Sequence, residues 1–283
     1  MKSSIQINRK ILSNDGSVKY VLETKDQHMI ECMYMPRYDG AVVICISSQI
    51  GCSLKCAHCA TGTIKFERNL TSNEIYDEVL IILDDNSAFD KEIILFFMGM
   101  GEPLYNYENV IKAIHMFNQD MDIPYEKITV STAGVVPGIR ALAELNLNIR
   151  VAVSIHSIDD NKRSELMPIN KIYNIKSLQH AIMYYRDFCQ KPIILQYTLI
   201  KNFNDTIIDA QKLANFAKDT CCHVRIIPYN STEKGKYASS SPENLKLFCN
   251  ILKENAVSYK IRNNRGTDVQ GGCGQLCLYM NKT

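Results

Sequence analysis

The sequence predicts an α/β fold, a parallel sheet closed or partly closed into a barrel. Three observations carry this. From Ala41 onward, short apolar runs of strand length alternate with longer segments of helical period. About six such β-α units follow one another, which argues for parallel rather than antiparallel pairing. Glycines and small polar residues gather just after the apolar runs, at the strand ends where folds of this class carry their chemistry.

The 283 residues are 46% hydrophobic, enough for one large α/β domain or two small ones. A formal net charge of +2 gives no global attraction for a polyanion, so any nucleic acid has to be held by a local basic surface. Met1 to Met29 carries charges throughout and has no apolar core of a secretory signal. The best apolar run, Ile93 to Met98, is strand-sized and too short to cross a membrane. Eleven cysteines in such a chain point to a reducing cytoplasm, with the cysteines acting as ligands, reactive thiols or small core residues.

In order, residues 1–40 read as short strands around an Asn14-Asp15-Gly16 turn, with Val18–Leu22 and Met29–Met35 as the apolar runs and Pro36 as the stop. They form an extension packed on the core. Strands are then expected at Val42–Ile46, Ile93–Phe97, Ile128–Ser131, Ile149–Ile155, Ile193–Leu199, Val224–Ile227 and Val257–Ile261. Helices are expected at Ser72–Leu83, Tyr107–Asn118, Pro137–Leu145, Ile175–Phe188, Thr206–Ala217 and Pro242–Glu254. Thr71 and Glu74 have capping-box spacing, Asp205 is placed to cap its helix, and Ser241-Pro242 is a strong helix start. The Lys, Gly and Ser-rich stretch Ser231–Ser241 reads as a loop.

Between the first strand and the first helix lies Gly51-Cys52-Ser53-Leu54-Lys55-Cys56-Ala57-His58-Cys59-Ala60-Thr61-Gly62. Three cysteines at CxxxCxxC spacing are one ligand short of a structural zinc site or a ferredoxin cluster. On a cubane cluster they would leave one iron open to a small molecule. Zinc completed by His58 is the competing reading, disfavoured because His58 sits between two of the cysteines. Further strand ends carry Met98-Gly99-Met100-Gly101-Glu102-Pro103, Ser131-Thr132-Ala133-Gly134, Ser154-Ile155-His156-Ser157 and Pro228-Tyr229-Asn230. Taken singly, each reads as an ordinary strand-end hydrogen bond. Taken with the cysteine loop, they read as the lining of one cofactor site, with Glu102 offering a carboxylate to an amino group.

CxxxCxxC followed by Gly-Glu-Pro resembles the radical S-adenosylmethionine (SAM) enzymes. A wider set resembles the RlmN/Cfr family, which methylates an adenine of large-subunit ribosomal RNA. That set is Cys45-Ile46-Ser47-Ser48-Gln49-Ile50-Gly51-Cys52, Gly99–Pro103, Leu166-Met167-Pro168-Ile169-Asn170 and Gly272-Cys273-Gly274-Gln275-Leu276. The likeness runs from about Val18 to the C-terminus. It implies a radical-SAM partial (β/α)6 barrel over 41–283, ending in a catalytic-cysteine loop, with a short N-terminal β extension over 1–40. The small helical domain that usually precedes the matched part in the family is expected to be lacking.

The resemblance also implies roles. Cys52, Cys56 and Cys59 hold a 4Fe–4S cluster whose open iron is chelated by SAM. Gly101, Glu102, Ser131, Ser154, Ile155, His156 and Asn230 bind SAM. Cys273 carries a methyl group, Cys45 is its partner thiol, and Glu31 is the proton acceptor. Two SAM molecules serve each turnover: one methylates Cys273, and one yields the radical that activates that S-methyl group for addition to adenine. Attack of Cys45 on the Cys273 sulfur then releases methylated RNA and leaves a disulfide. A radical is needed because adenine C2 and C8 are too electron-poor to attack a methyl sulfonium.

The implied partners are 23S rRNA, with tRNA as a further target, and a reducing donor such as flavodoxin or ferredoxin. The protein is expected to be a cytoplasmic monomer without membrane contact. Lys234, Lys236, Lys260, Arg262 and Arg265 are the candidate phosphate contacts. Cys32, Cys189, Cys221, Cys222, Cys249 and Cys277 have no assigned task. The Gly-Glu-Pro sequence favours the C2 branch over the C8 antibiotic-resistance branch. Rival readings are a radical SAM enzyme acting on another substrate and a zinc-bound RNA-binding module.

Overall fold

A computed structural model describes residues 3–189, 191–231 and 236–276 of the chain. These fall into two compact units. One takes in residues 3–55, 59–131 and 265–276, the other 56–58 and the described part of 132–264.

The first unit opens with an antiparallel meander, β1 (Ile5–Leu12), β2 (Val18–Thr24) and β3 (Met29–Pro36). The β2–β3 register sets Lys19 opposite Met33 and Val21 opposite Glu31. β3 pairs antiparallel with β4 (Val42–Ile46), which puts Met33 opposite Cys45. From β4 the pairing turns parallel, to β7 (Ile93–Phe97) and on to β8 (Ile128–Thr132). The cysteine loop hangs between two short strands, β5 (Gln49–Ile50) and β6 (Arg68–Asn69), which close its neck by antiparallel pairing.

Two helices cover this unit, α1 (Ser72–Asp85) and α2 (Tyr107–Asp120). Their buried residues recur every three or four positions, Ile75, Val79 and Ile82 on α1 and Val110, Ala113, Ile114 and Phe117 on α2. The predicted capping box opens α1: Thr71 N–H donates to Glu74 Oε2 at 2.8 Å, and Glu74 N–H returns to Thr71 Oγ1 at 3.2 Å.

The second unit carries α3 (Val136–Leu145), β9 (Arg150–Ser154), α4 (Asp160–Leu166), α5 (Ile175–Phe188), β10 (Ile194–Leu199), α6 (Ile207–Asp219), β11 (His223–Pro228), α7 (Pro242–Glu254) and β12 (Tyr259–Ile261). Its strands run parallel in the order β9, β10, β11, β12. Ser241 caps α7 through Asn244 N–H at 3.2 Å, with Pro242 at the first helical position, as predicted.

One local expectation is corrected, and two elements are added. Thr206, not Asp205, caps α6, because Thr206 forms a capping box with Asp209 while Asp205 accepts from Asn202 N–H and Ser240. β1 supplies the strand before the Asn14 turn; its bounds were not marked in the sequence because it is an edge strand exposed along most of its length. α4 was hidden because it is short and charged. Among the described residues no helix is long and apolar enough to cross a membrane.

Candidate active site

Cys52 and Cys59 belong to the first unit and Cys56 to the second. Removal from water pushes the Cys52 thiol up to about 12; Cys59 and Glu102 add to the rise, and a Leu54 N–H bond opposes it. The Cys59 thiol is also raised, first by burial and further by Cys273, against hydrogen bonds from Thr61 and Gly62. Such sulfurs become stable thiolates when a metal supplies positive charge, and the N–H bonds are of the kind that tune cluster ligands. Among the described residues, no three Cys, His, Asp or Glu side chains close up as ligands of one ion do. Three cysteines in one loop, with Cys52 and Cys59 taken out of water and reached by N–H donors of Leu54, Thr61 and Gly62, are the donor chemistry of iron–sulfur cluster ligands.

The loop bearing Cys273 meets the cysteine loop directly. Ala60 N–H donates to the Gly274 carbonyl at 2.7 Å, and Thr61 Oγ1 donates to the Leu276 carbonyl at 3.2 Å. Cys273 is half-buried, in a turn tightened by Gly272 N–H donating to Gln275 Oε1 at 3.1 Å. The residues leading to it are docked on the N-terminal strands. Asp15 accepts from Gly266 N–H at 3.0 Å, Asp268 from Asn14 N–H at 2.9 Å, and Lys19 Nζ donates to the Gln270 carbonyl at 3.3 Å. Arg265 bonds to the Pro36 carbonyl and, at 3.0 Å, to that of Asp15. Arg265 is thus a brace for this loop.

Cys45 is buried on β4, opposite Met33. Both Cys45 and Cys273 are reduced thiols, so the disulfide implied by the resemblance is not formed in this structure. Glu31, on β3, is 0% exposed and ion-paired with Lys19, also 0% exposed, at 2.9 Å. Its backbone is fixed as well: Ser47 Oγ donates to the Glu31 carbonyl at 2.8 Å. Gly101 has φ +95°, and a Cβ there would lie 2.5 Å from Gln49 Cβ, so only glycine fits the turn. Glu102 is buried beyond it; its N–H donates to Gln49 Oε1 at 2.8 Å, and its carboxylate caps the next turn through Leu104 N–H at 3.1 Å. Ser131 lies near the C-terminal end of β8.

In the second unit, Ser154, Ile155 and His156 follow one another at the C-terminal end of β9. His156 is buried with φ +51°. Its Nδ1 accepts from Thr198 N–H at 2.9 Å, which assigns the ring proton to Nε2. Burial, with His58 and Arg163 nearby, holds this imidazole neutral. Its ring meets that of His58 edge-on at 4.7 Å, and burial lowers His58 to about 4. Asn230 is buried past the end of β11, where its Oδ1 accepts from Asn264 at 2.6 Å.

Sequence reasoning missed the residue that ties this end together. Arg163 is 0% exposed; its guanidinium donates to the carbonyls of Ala133 (2.7 Å), Ile155 (3.1 Å) and Ser154 (3.2 Å) and to Asn170 Oδ1 (2.8 Å). Asn170 is the last residue of Leu166-Met167-Pro168-Ile169-Asn170, so that motif serves the β9 end through Arg163. An arginine in a short polar helix reads as surface, and nothing in the sequence marks it as buried.

The remaining candidates separate. Lys260 is exposed on β12, Arg262 is half-buried, and Lys236 pairs with Glu165 at 3.0 Å. Lys234 and Cys277 lie outside the described residues. Cys32, Cys189, Cys222 and Cys249 are buried, but Cys221 is exposed at a left-handed turn, where Arg186 donates to its sulfur at 3.4 Å.

A model of the radical SAM superfamily matches residues 46–214. A protein of Carboxydothermus hydrogenoformans, named a probable dual-specificity RNA methyltransferase RlmN, is 39% identical over 276 residues, which is 96% of this chain and 80% of that relative. The dual-specificity RNA methyltransferase RlmN of a Nitratiruptor species is 36% identical over 94% of this chain and 79% of its own length. Among solved structures, a radical SAM methyltransferase from Sphaerobacter thermophilus superposes with TM-score 0.93 at 32% identity, covering 97% of this chain and 81% of that one. Relatives of this identity, aligned over most of both chains, together with the superfamily match, mean that this chain belongs to the RlmN family of radical SAM RNA methyltransferases.

Proposed function

We propose that this RNA methyltransferase places a methyl group on C2 of an adenine in 23S rRNA, and on an adenine of tRNA as a second substrate. The Gly-Glu-Pro sequence at Gly101–Pro103 supports C2, and the names of the relatives, dual-specificity RNA methyltransferases, support more than one RNA. The observation that carries the reading is the bond from Ala60 N–H to the Gly274 carbonyl at 2.7 Å, which ties the residue after the third loop cysteine to the residue after Cys273.

As a radical SAM enzyme the protein works with a 4Fe–4S cluster and SAM, which when bound supply the methyl group and the one-electron chemistry that an electron-poor ring carbon requires. Cys52, Cys56 and Cys59 would hold the cluster. Gly101, Glu102, Ser131, Ser154, Ile155, His156 and Asn230 would bind SAM: Gly101 by close backbone approach, Glu102 by its carboxylate, and neutral His156 by its Nε2 proton.

Cys273 carries the methyl group to the RNA and becomes covalently joined to it through that carbon. Glu31, ionised beside Lys19, accepts the proton that leaves the ring carbon. Cys45 thiolate then attacks the Cys273 sulfur. The sulfur–sulfur bond forms as the sulfur–carbon bond breaks, its electron pair going to the carbon, which takes up a proton and becomes the methyl product. The disulfide left behind is reduced by an external thiol before the next turnover.

Mass spectrometry of RNA from cells with and without this chain tests the reading. 2-Methyladenosine in rRNA and tRNA that depends on the chain is the expected result. 8-Methyladenosine in its place would move the reaction to the other ring carbon, and loss of neither would overturn the reading.

A further inference from the structure

The N-terminal strands do more than extend the sheet. Lys19 is a fully buried ammonium, a costly group to place out of water unless it is paired and hydrogen-bonded. It meets both conditions with two partners from different parts of the chain. Its Nζ is 2.9 Å from Glu31 Oε2 on the neighbouring strand and 3.3 Å from the Gln270 carbonyl, three residues before Cys273. Beside it, Met33 fills the space against the same segment. A Cβ on Gly271 would fall on the Met33 thioether, and one on Gly266 would lie 2.5 Å from its methyl carbon.

We propose that Lys19 is a positioning residue for the methyl transfer: one buried ammonium keeps Glu31 a carboxylate and anchors the segment that presents Cys273. This rests on the reading of Glu31 and Cys273 given above. The groups around Glu31 show why the charge matters. Lys19 faces it from β2. Cys32 stands next to it on β3 and Cys45 lies on β4, and Glu78 of α1 lies behind Cys32 as a buried carboxyl whose titration is raised by burial. Apart from Lys19, these neighbours are acidic groups. Without the ammonium, a carboxylate in this place would take up a proton and could no longer accept one from the ring. The same loss would release the Gln270 carbonyl.

Three variants separate the two roles. Lys19→Arg keeps charge and donors, Lys19→Gln keeps a donor without charge, and Lys19→Met keeps neither. Two measurements are made on each. One is the pH dependence of RNA methylation by the cluster-loaded enzyme, split into kcat and KM. The other is the rate of Cys273 alkylation by iodoacetamide in cluster-free protein, followed by peptide mass spectrometry.

Lys19→Gln and Lys19→Met are expected to lower kcat about a hundredfold at neutral pH with KM little changed, and to move the acid limb of the profile upward by at least about one pH unit. Lys19→Arg is expected to keep the wild-type limb. Alkylation is expected to quicken several-fold in Lys19→Met and to stay at the wild-type rate in Lys19→Arg and Lys19→Gln. Circular dichroism identifies any variant that fails to fold, and Lys19→Arg against Lys19→Gln carries the comparison if Lys19→Met does.

An unmoved acid limb in folded Lys19→Gln overturns the proposal, as does alkylation unchanged in folded Lys19→Met. RNA methylation that stays normal when Cys273 or Glu31 is replaced defeats the underlying reading instead, and the alkylation result for Lys19 remains interpretable.

Discussion

Ala60 N–H and the Gly274 carbonyl, 2.7 Å apart, join two residues that lie 214 positions apart in the chain. Each follows a cysteine directly, Ala60 after Cys59 and Gly274 after Cys273. The bond makes the Cys273 loop a neighbour of the three-cysteine loop with no cofactor bound. Ala60→Pro removes the donor while leaving both thiols in place. A single hydrogen bond of net worth about 1 kcal/mol corresponds to several-fold in loop position. Slower RNA methylation by roughly that factor is expected, with faster alkylation of Cys273 and unchanged visible absorption of the reconstituted cluster.

Cys273→Ala separates methyl carriage from SAM cleavage. RNA methylation is expected to vanish, while 5′-deoxyadenosine still forms when the reduced enzyme is given SAM. Chromatography of the nucleoside products alongside label transfer from methyl-tritiated SAM checks both halves. Residual RNA labelling would show that another group carries the methyl.

Arg163→Lys tests the brace beneath β9. The lysine ammonium cannot reproduce a planar fork that reaches Ala133, Ser154, Ile155 and Asn170 at once. Leaving buried acceptors unmet should cost about 3 kcal/mol, seen as a lower midpoint in urea unfolding of the cluster-free protein. SAM affinity is expected to fall with it, because Ser154 and Ile155 lose the group that fixes their carbonyls.

The cluster-free protein should lose stability in mild acid. His58 is lowered by burial to about 4, and His156 by burial together with His58 and Arg163. In the unfolded chain both take a proton near 6.5. Between that value and about 4 the unfolded state binds more protons than the folded one, so the stabilisation is full above pH 6.5 and drains away as pH falls. Urea unfolding at pH 7, 6 and 5 should show this slope, and His58→Gln should flatten part of it.

The strands and helices were legible because apolar periodicity survives in elements that bury one face or both. β4 and β7 through β11 appear within a residue or two of the expected bounds, and α5 and α7 at those bounds. The cysteine spacing and the glycine turns were legible because their chemistry depends on local sequence. What escaped was long-range. Lys19 and Arg163 have the composition of surface cations, and only the folded chain shows that carboxylate and carbonyl partners bury them. Arg265 belongs with them, since its bracing of the Pro36 and Asp15 carbonyls shows only in the folded chain. Asp205 lost its capping role to Thr206 because capping is decided by one residue of phase.

The grip of the first strands on the last described segment has a consequence for biosynthesis. Ser13, Asn14, Asp15 and Lys19 leave the ribosome early, while the residues they hold, Asp268, Gly266 and Gln270, come 251 to 255 positions later. Everything from Thr132 to Asn264 is translated in between. A nascent polypeptide therefore has no means of seating the Cys273 loop, and that loop stays undocked until the second unit has emerged.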